Sequence, residues 1–346
     1  MNPTGRKLRV LVVDDSLFMR AAIAKLLSGD GRFEVVGQAR DGADAVDKVA
    51  ALAPDVVTMD FNMPRMNGAE AVRAIMGRRP TPVIMFSAHT RQGARETFEA
   101  LAAGAVDFVT KPAGEVSADL RAIAEDLIGK LVAAAGARPR ALAPIQQAKP
   151  TFPVQLSTWP PTGPRVVVVG VSTGGPAALS RVIPALPAAI RFSLVIVQHM
   201  PASFTATLAE RLNSLAAVSV REARDGDIPA AGMVFVAPGD RHLEVSDGGV
   251  LRLSDGPLVH GCRPSADVTM TSAARVFGRR AVGLVMTGMG RDGAAGMAAI
   301  KRADGLTLAQ DQATSVIFGM PKAAIDAGVV DQVLPLDDIA ARLQQL

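Results

Sequence analysis

In the first 134 residues, short unbroken apolar blocks alternate with longer segments of helical spacing. Arg9–Val13, Glu34–Ala39, Val56–Asp60, Val83–Ser87 and Ala105–Val109 read as strands. Between them, Phe18–Leu27, Ala43–Leu52, Ala69–Met76 and Gly93–Ala102 carry the periodicity of helices, and a last helix is expected over Ala118–Ala134. Apolar strands separated by helices predict a parallel sheet covered on both faces.

The pattern then breaks. Residues 135–164 hold seven prolines and almost no apolar periodicity, which predicts a linker, stiff in places, with Phe152 and Trp159 as its aromatic residues. The alternation restarts at residue 165. Val166–Val169, Leu194–Val197, Met233–Val236, Ala281–Met286 and Leu306–Gln310 read as strands, with helices near Ala266–Val276 and Asp292–Ala303. His242–Val245 and Val250–Leu253, joined through Gly248 and Gly249, read as a hairpin, an antiparallel excursion in an otherwise α/β half. The expected organisation is therefore a first domain over 1–134, a linker over 135–164 and a second domain over 165–346.

Composition removes several alternatives. The excess of Lys and Arg sits almost wholly in the linker: residues 1–134 hold 17 basic and 17 acidic residues, residues 165–346 hold 17 and 16. Neither half carries a nucleic-acid footprint. No run of about 18 uncharged apolar residues predicts a membrane span. The polar start, interrupted by Asp14 and Asp15, does not read as a secretory signal. A single cysteine, Cys262, excludes an intrachain disulfide and reads as a small buried residue; it fits a reducing, cytoplasmic compartment. Four histidines without an H-x-x-x-H pattern leave little for a zinc hydrolase.

Candidate chemistry gathers at predicted strand ends. Asp14 and Asp15 end the first strand, Asp60 the third and Ser87 the fourth, while Lys111 follows the fifth. The carboxyl edge of an open parallel sheet is the usual ligand crevice. Three carboxylates there call for a cation, and oxygen-only ligation points to Mg²⁺. A hydroxyl and an ammonium facing that centre suit a transferred phosphoryl group, with Asp60 as acceptor. Taken singly, each of these residues reads equally as a cap or a surface charge.

Asp14-Asp15, Asp60 with Asn62–Gly68, Ser87-Ala88 and Thr110-Lys111-Pro112 resemble the response-regulator receiver domain over about residues 8–130. The resemblance implies a flavodoxin-like fold and phosphorylation of Asp60 by a histidine kinase. It further implies Mg²⁺ held by Asp14, Asp15, Asp60 and the Asn62 carbonyl, and sensing of the phosphoryl group by Ser87, Lys111 and the aromatic Phe108.

In the second half, Gly170-Val171-Ser172-Thr173-Gly174 satisfies G-x-S-x-G after a predicted strand, which places Ser172 on a sharp turn. A glycine turn of this kind also suits ligand binding without chemistry. His199 ends the next strand. Asp292 follows a further one, within Thr287–Gly293, where it reads either as the partner of His199 or as the cap of its own following helix. The amide of Met289 could face an oxyanion. The order Ser172, His199, Asp292 differs from the serine–acid–histidine order of α/β-hydrolases.

These stretches, with Gln198–Pro201, Ala237–His242, Gln310-Asp311, Thr314-Ser315 and Gly319–Pro321, resemble the catalytic domain of the chemotaxis protein-glutamate methylesterases. The resemblance implies a Rossmann-like domain in which Ser172 is nucleophile, His199 base and acid, Asp292 the orienting carboxylate and Met289 an oxyanion donor, with Thr173 supporting His199. It implies hydrolysis of glutamyl methyl esters, and deamidation of glutamines, on cytoplasmic helices of methylated chemoreceptors, without a cofactor for the ester chemistry. It also implies restraint by the unphosphorylated receiver. Three rivals stay open at this level: a phosphorylation-controlled binding module, a DNA-binding regulator, and an esterase serving another receptor-like pathway.

Overall fold

The computed structural model describes residues 6–88, 90–111, 120–137 and 165–346. They divide into two compact units, one in each half of the chain. Most of the expected linker (residues 138–164, Phe152 and Trp159 among them), together with Pro112 and the first two residues of the expected Ala118–Ala134 helix, lies outside the described residues.

The first unit runs β1 (Leu8–Val13), α1 (Leu17–Ser28), β2 (Phe33–Ala39), α2 (Gly42–Leu52), β3 (Val56–Asp60), α3 (Gly68–Arg78), β4 (Val83–Ser87), α4 (Arg91–Ala103), β5 (Asp107–Thr110) and α5 (Leu120–Ala135). All five strands are parallel, in the order β2-β1-β3-β4-β5, which is the flavodoxin-like arrangement. Helix starts are fixed by side chains: Ser16 accepts from Met19 N, Asp41 from Asp44 N, and Asn67 with Glu70 forms a capping box. Val10, Leu11, Val57, Ile84 and Met85 are fully buried, so both faces of the sheet are covered. Asp14, Asp60, Ser87 and Lys111 all fall at its carboxyl edge.

The second unit continues with β6 (Arg165–Val171), α6 (Gly175–Val182), β7 (Phe192–Gln198), α7 (Ala202–Leu215), β8 (Ser219–Glu222), β9 (Met233–Val236), β10 (His242–Val245) and β11 (Leu251–Ser254). After them come α8 (Ala266–Phe277), β12 (Ala281–Val285), α9 (Ala294–Arg302), β13 (Leu306–Gln310), α10 (Met320–Asp326), β14 (Gln332–Leu334) and α11 (Leu336–Leu343). Seven parallel strands follow the order β14-β13-β12-β6-β7-β9-β8, and β10 with β11 forms the separate antiparallel hairpin. From β6 the chain builds outward through β7, then returns to β6's other side with β12. The crevice at that reversal, above β6, is where an open α/β sheet binds its ligand.

Candidate active site

At the edge of the first sheet, carboxylate oxygens of Asp14, Asp15 and Asp60 all lie within 4.8 Å of one another. Lys111 Nζ reaches Asp60 Oδ1 at 2.8 Å and Asp14 Oδ2 at 3.1 Å. Burial pushes the Asp60 carboxyl up to about 6, with Lys111 opposing the rise and Asp14 adding to it. Burial alone would lower the Lys111 ammonium, but Asp60 and Asp14 outweigh it and raise it. Three acids against one ammonium, all oxygen donors, fit a hard divalent cation such as Mg²⁺. Ser87 Oγ lies 3.0 Å from Gly93 O and 2.5 Å from Thr97 Oγ1, so its hydroxyl is engaged with α4. Phe108 is buried, with Lys130 Nζ 5.3 Å above its ring and bonded to its carbonyl at 2.7 Å. The Asn62 side chain turns away to Glu96 at 3.0 Å.

In the second unit, β6 and β7 pair through Val171 and Gln198, so Ser172 and His199 are the next residues beyond the paired ends. His199 N still donates to Val171 O at 3.2 Å. The turn after Ser172 needs Gly174 at φ +78°, and Gly175 N closes it on Ser172 O at 2.7 Å. On the other side, Ser172 N donates to Thr287 O at 3.0 Å, joining the turn to the end of β12. A Cβ at Gly288 would stand 2.8 Å from Ser172 Cβ, so only glycine lets the two loops approach this closely. Met289 is half exposed, and its amide donates to no other group among the described residues. Thr173 is buried, and its carbonyl accepts from Thr287 Oγ1 at 2.9 Å.

His199 Nε2 donates to Asp292 Oδ2 at 2.7 Å. Burial would lower the imidazole, but Asp292 and then Cys262 outweigh it and carry it up to about 9. Burial also works against the Asp292 carboxylate, yet His199, Ser265 and Ala266 hold it down to about 2. Asp292 is 2% exposed and accepts four hydrogen bonds: from His199 Nε2, Ser265 Oγ, Ala266 N and Asp267 N. The helix that follows Asp292, α9, starts at Gly293 with no side-chain cap. Asp292 therefore caps a helix, but it is α8, from across the domain, with the same carboxylate that holds His199. The expectation of a cap on its own helix gives way for that reason.

Three contacts escaped the sequence reading. Cys262 is half-buried with Sγ 3.7 Å from His199 Nδ1, so the expected partnerless thiol has a partner. Asp267 joins the N-terminus of α8 to Gly296 N of α9 at 2.7 Å and to His260 Nε2 at 3.0 Å. Gln198 donates to the carbonyls of both Ser172 and His199. Nothing in local periodicity signals them, since each depends on loops far apart in sequence.

A flavodoxin-like unit with an acidic, lysine-faced crevice, followed by a Rossmann-like unit with a serine turn beside a histidine–aspartate pair, defines a response regulator with an α/β effector of hydrolase type. A family model for the response regulator receiver domain matches residues 10–123, and one for the CheB methylesterase matches residues 167–343. The chain belongs to the CheB methylesterase family. Relatives named protein-glutamate methylesterase/protein-glutamine glutaminase include that of Symbiobacterium thermophilum, 49% identical over 97% of this chain and 96% of its own. That of Pyrococcus abyssi is 47% identical over 97% and 92%. The crystal structure of the Thermotoga maritima CheB methylesterase catalytic domain is 39% identical, with a TM-score of 0.52, covering 53% of this chain and 99% of that one.

Proposed function

We propose that this protein hydrolyses glutamyl methyl esters on the cytoplasmic helices of methylated chemoreceptors, and deamidates glutamines there, under control of phosphorylation at Asp60. The observation that carries the reading is the 2.7 Å bond that fixes His199 to Asp292, with His199 and Ser172 each one residue beyond the last pair of β6 and β7. With Nε2 bound to Asp292, Nδ1, which has only the weak Cys262 Sγ contact at 3.7 Å, takes the Ser172 proton.

Ser172 Oγ attacks the ester carbonyl while its proton passes to His199 Nδ1. The oxyanion faces the Met289 amide, which has no competing acceptor among the described residues. His199 then protonates the departing methanol, or ammonia from a glutamine, and leaves an acyl-serine. Water, deprotonated by His199, releases the free glutamate and regenerates Ser172. No cofactor enters these steps.

In the receiver, Asp60 takes the phosphoryl group from a histidine kinase. Asp14, Asp15, Asp60 and the Asn62 carbonyl would hold Mg²⁺, which supplies positive charge to the phosphoryl oxygens. Lys111 neutralises a further oxygen, and Ser87 leaves α4 to meet the group while Phe108 repacks. The domain limits are 1–134, 135–164 and 165–346, with the unphosphorylated receiver restraining the esterase. Methyl-ester release from methylated receptors, measured with and without a small-molecule phosphodonor, tests both parts. No release at all would overturn the substrate, and equal rates would overturn the control.

A further inference from the structure

Gln198 closes β7 immediately before His199 and is 2% exposed. Its Nε2 donates to Ser172 O at 3.1 Å and to His199 O at 3.2 Å. One amide thus spans the backbones of the two residues between which the proton must move. Ser172 is anchored to β12 through its own N–H, but toward β7 its link among the described residues is the Gln198 amide.

The other end of the amide is unusual. Gln198 Oε1 is buried without a hydrogen-bond partner among the described residues. It presses on Gly175, where any Cβ would collide with it and come within 3.0 Å of Cδ. Reversing the amide would set Oε1 against two carbonyls and leave the NH2 without acceptors, so the acceptors fix its orientation. A buried, unpaired oxygen opposes folding, and an apolar side chain of similar length would remove that penalty. That side chain would also take this donor from the carbonyls of Ser172 and His199, so its two effects on stability oppose each other.

We infer that Gln198 is a positioning residue, which sets the separation of Ser172 from His199 by tying their carbonyls to one donor. The inference rests on the roles proposed above for Ser172 and His199. A shift of about 1 Å between reacting groups costs on the order of 100-fold in rate.

The test uses the full-length protein with Gln198→Met, which keeps the length and loses both polar ends, and Gln198→Glu, which loses the donor. Receptor methyl-ester hydrolysis should fall at least about tenfold in kcat with KM within about twofold. Labelling of Ser172 by a fluorophosphonate, which needs no receptor, should slow in parallel. The Gln198→Met protein, which loses the unpaired oxygen and the two donated bonds together, should stay folded with a melting point within a few degrees of the parent's. Parent-like kcat and labelling in Gln198→Met would overturn the inference. So would its unfolding, since the amide would then serve stability. If the parent itself is not labelled at Ser172, the proposed function fails first. If the parent is labelled but releases no receptor methanol, the substrate fails and the labelling comparison still decides the role of Gln198.

Discussion

Asp292 holds His199 at Nε2, not Nδ1, and Cys262 Sγ stands 3.7 Å from Nδ1. The imidazole is thus held in a defined tautomer, with the proton on Nε2. Replacing the nucleophile should leave this pair intact. Ser172→Ala is expected to lower ester hydrolysis by on the order of 10⁴-fold or more while phosphorylation of Asp60 proceeds at the parent rate. Methanol release and phosphoprotein formation, measured on the same preparation, check it.

The pair also sets a pH dependence. His199 accepts a proton only when neutral, so the acid limb of kcat/KM should lie above the ordinary 6.5, toward about 9. Asp292→Asn removes the largest raising influence and should move that limb to lower pH while reducing the maximum. Cys262→Ala removes a smaller one, so a smaller downward shift with the maximum retained is expected. A limb unmoved by Asp292→Asn would contradict the coupling.

Stability follows the same linkage. The imidazole's pKa is raised on folding, so its contribution is fully present below pH 6.5 and is lost as pH rises through about 9. The Asp292 carboxyl is lowered, so its contribution is present above pH 3.8 and is lost as pH falls through about 2. Thermal melts of the second unit should show a plateau between these limits that Asp292→Asn flattens.

How far the sequence carries the reader differs between the two centres. Asp14, Asp60 and Lys111 sit at strand ends that apolar blocks mark plainly, and the sheet delivers them to one crevice, while the Ser87 hydroxyl at the end of β4 bonds to α4. The short strands β8 and β14 were not foreseen, because β14 has no buried residue and β8 only Val220. The pairing of His199 with Asp292 was legible as an option, since both follow strands. The trans-cap on α8 was not, because the Ser265, Ala266 and Asp267 donors belong to a helix separated from Asp292 by β12. Cys262 likewise reaches His199 only because His260 and Asp267 hold its loop against α8.

At the receiver crevice, burial holds Asp60 at about 6, above the ordinary 3.8, so the folded state disfavours its charge and stability falls as pH rises through about 6. Asp60→Asn should therefore raise the receiver's stability at pH 7 in metal-free buffer, by on the order of 1–3 kcal/mol, less whatever Lys111 loses. Phosphorylation should vanish in that variant. Chelation of divalent cations should likewise stop phosphorylation of the parent but leave its basal esterase rate unchanged.

The approach of the two loops at Ser172 makes a steric prediction. Gly288→Ala would set a methyl group against Ser172 Cβ and displace the turn. A loss of about 1–3 kcal/mol in stability, from overpacking, is expected together with at least a tenfold fall in kcat. Denaturant unfolding and turnover measured side by side check it.

Ser172, His199 and the Thr287–Gly293 loop, proposed as nucleophile, base and oxyanion loop, follow β6, β7 and β12, which are neighbours in one sheet. Adjacent strands are held about 4.8 Å apart by backbone hydrogen bonds. The spacing of the three strands is therefore a lattice constant of the sheet, within which Gln198 and the glycine turns set the finer separation of the groups. Amide hydrogen exchange along Val168–Val171 should then report loss of that ruler as the same event as global opening. A site built this way keeps its strand spacing until the domain itself melts.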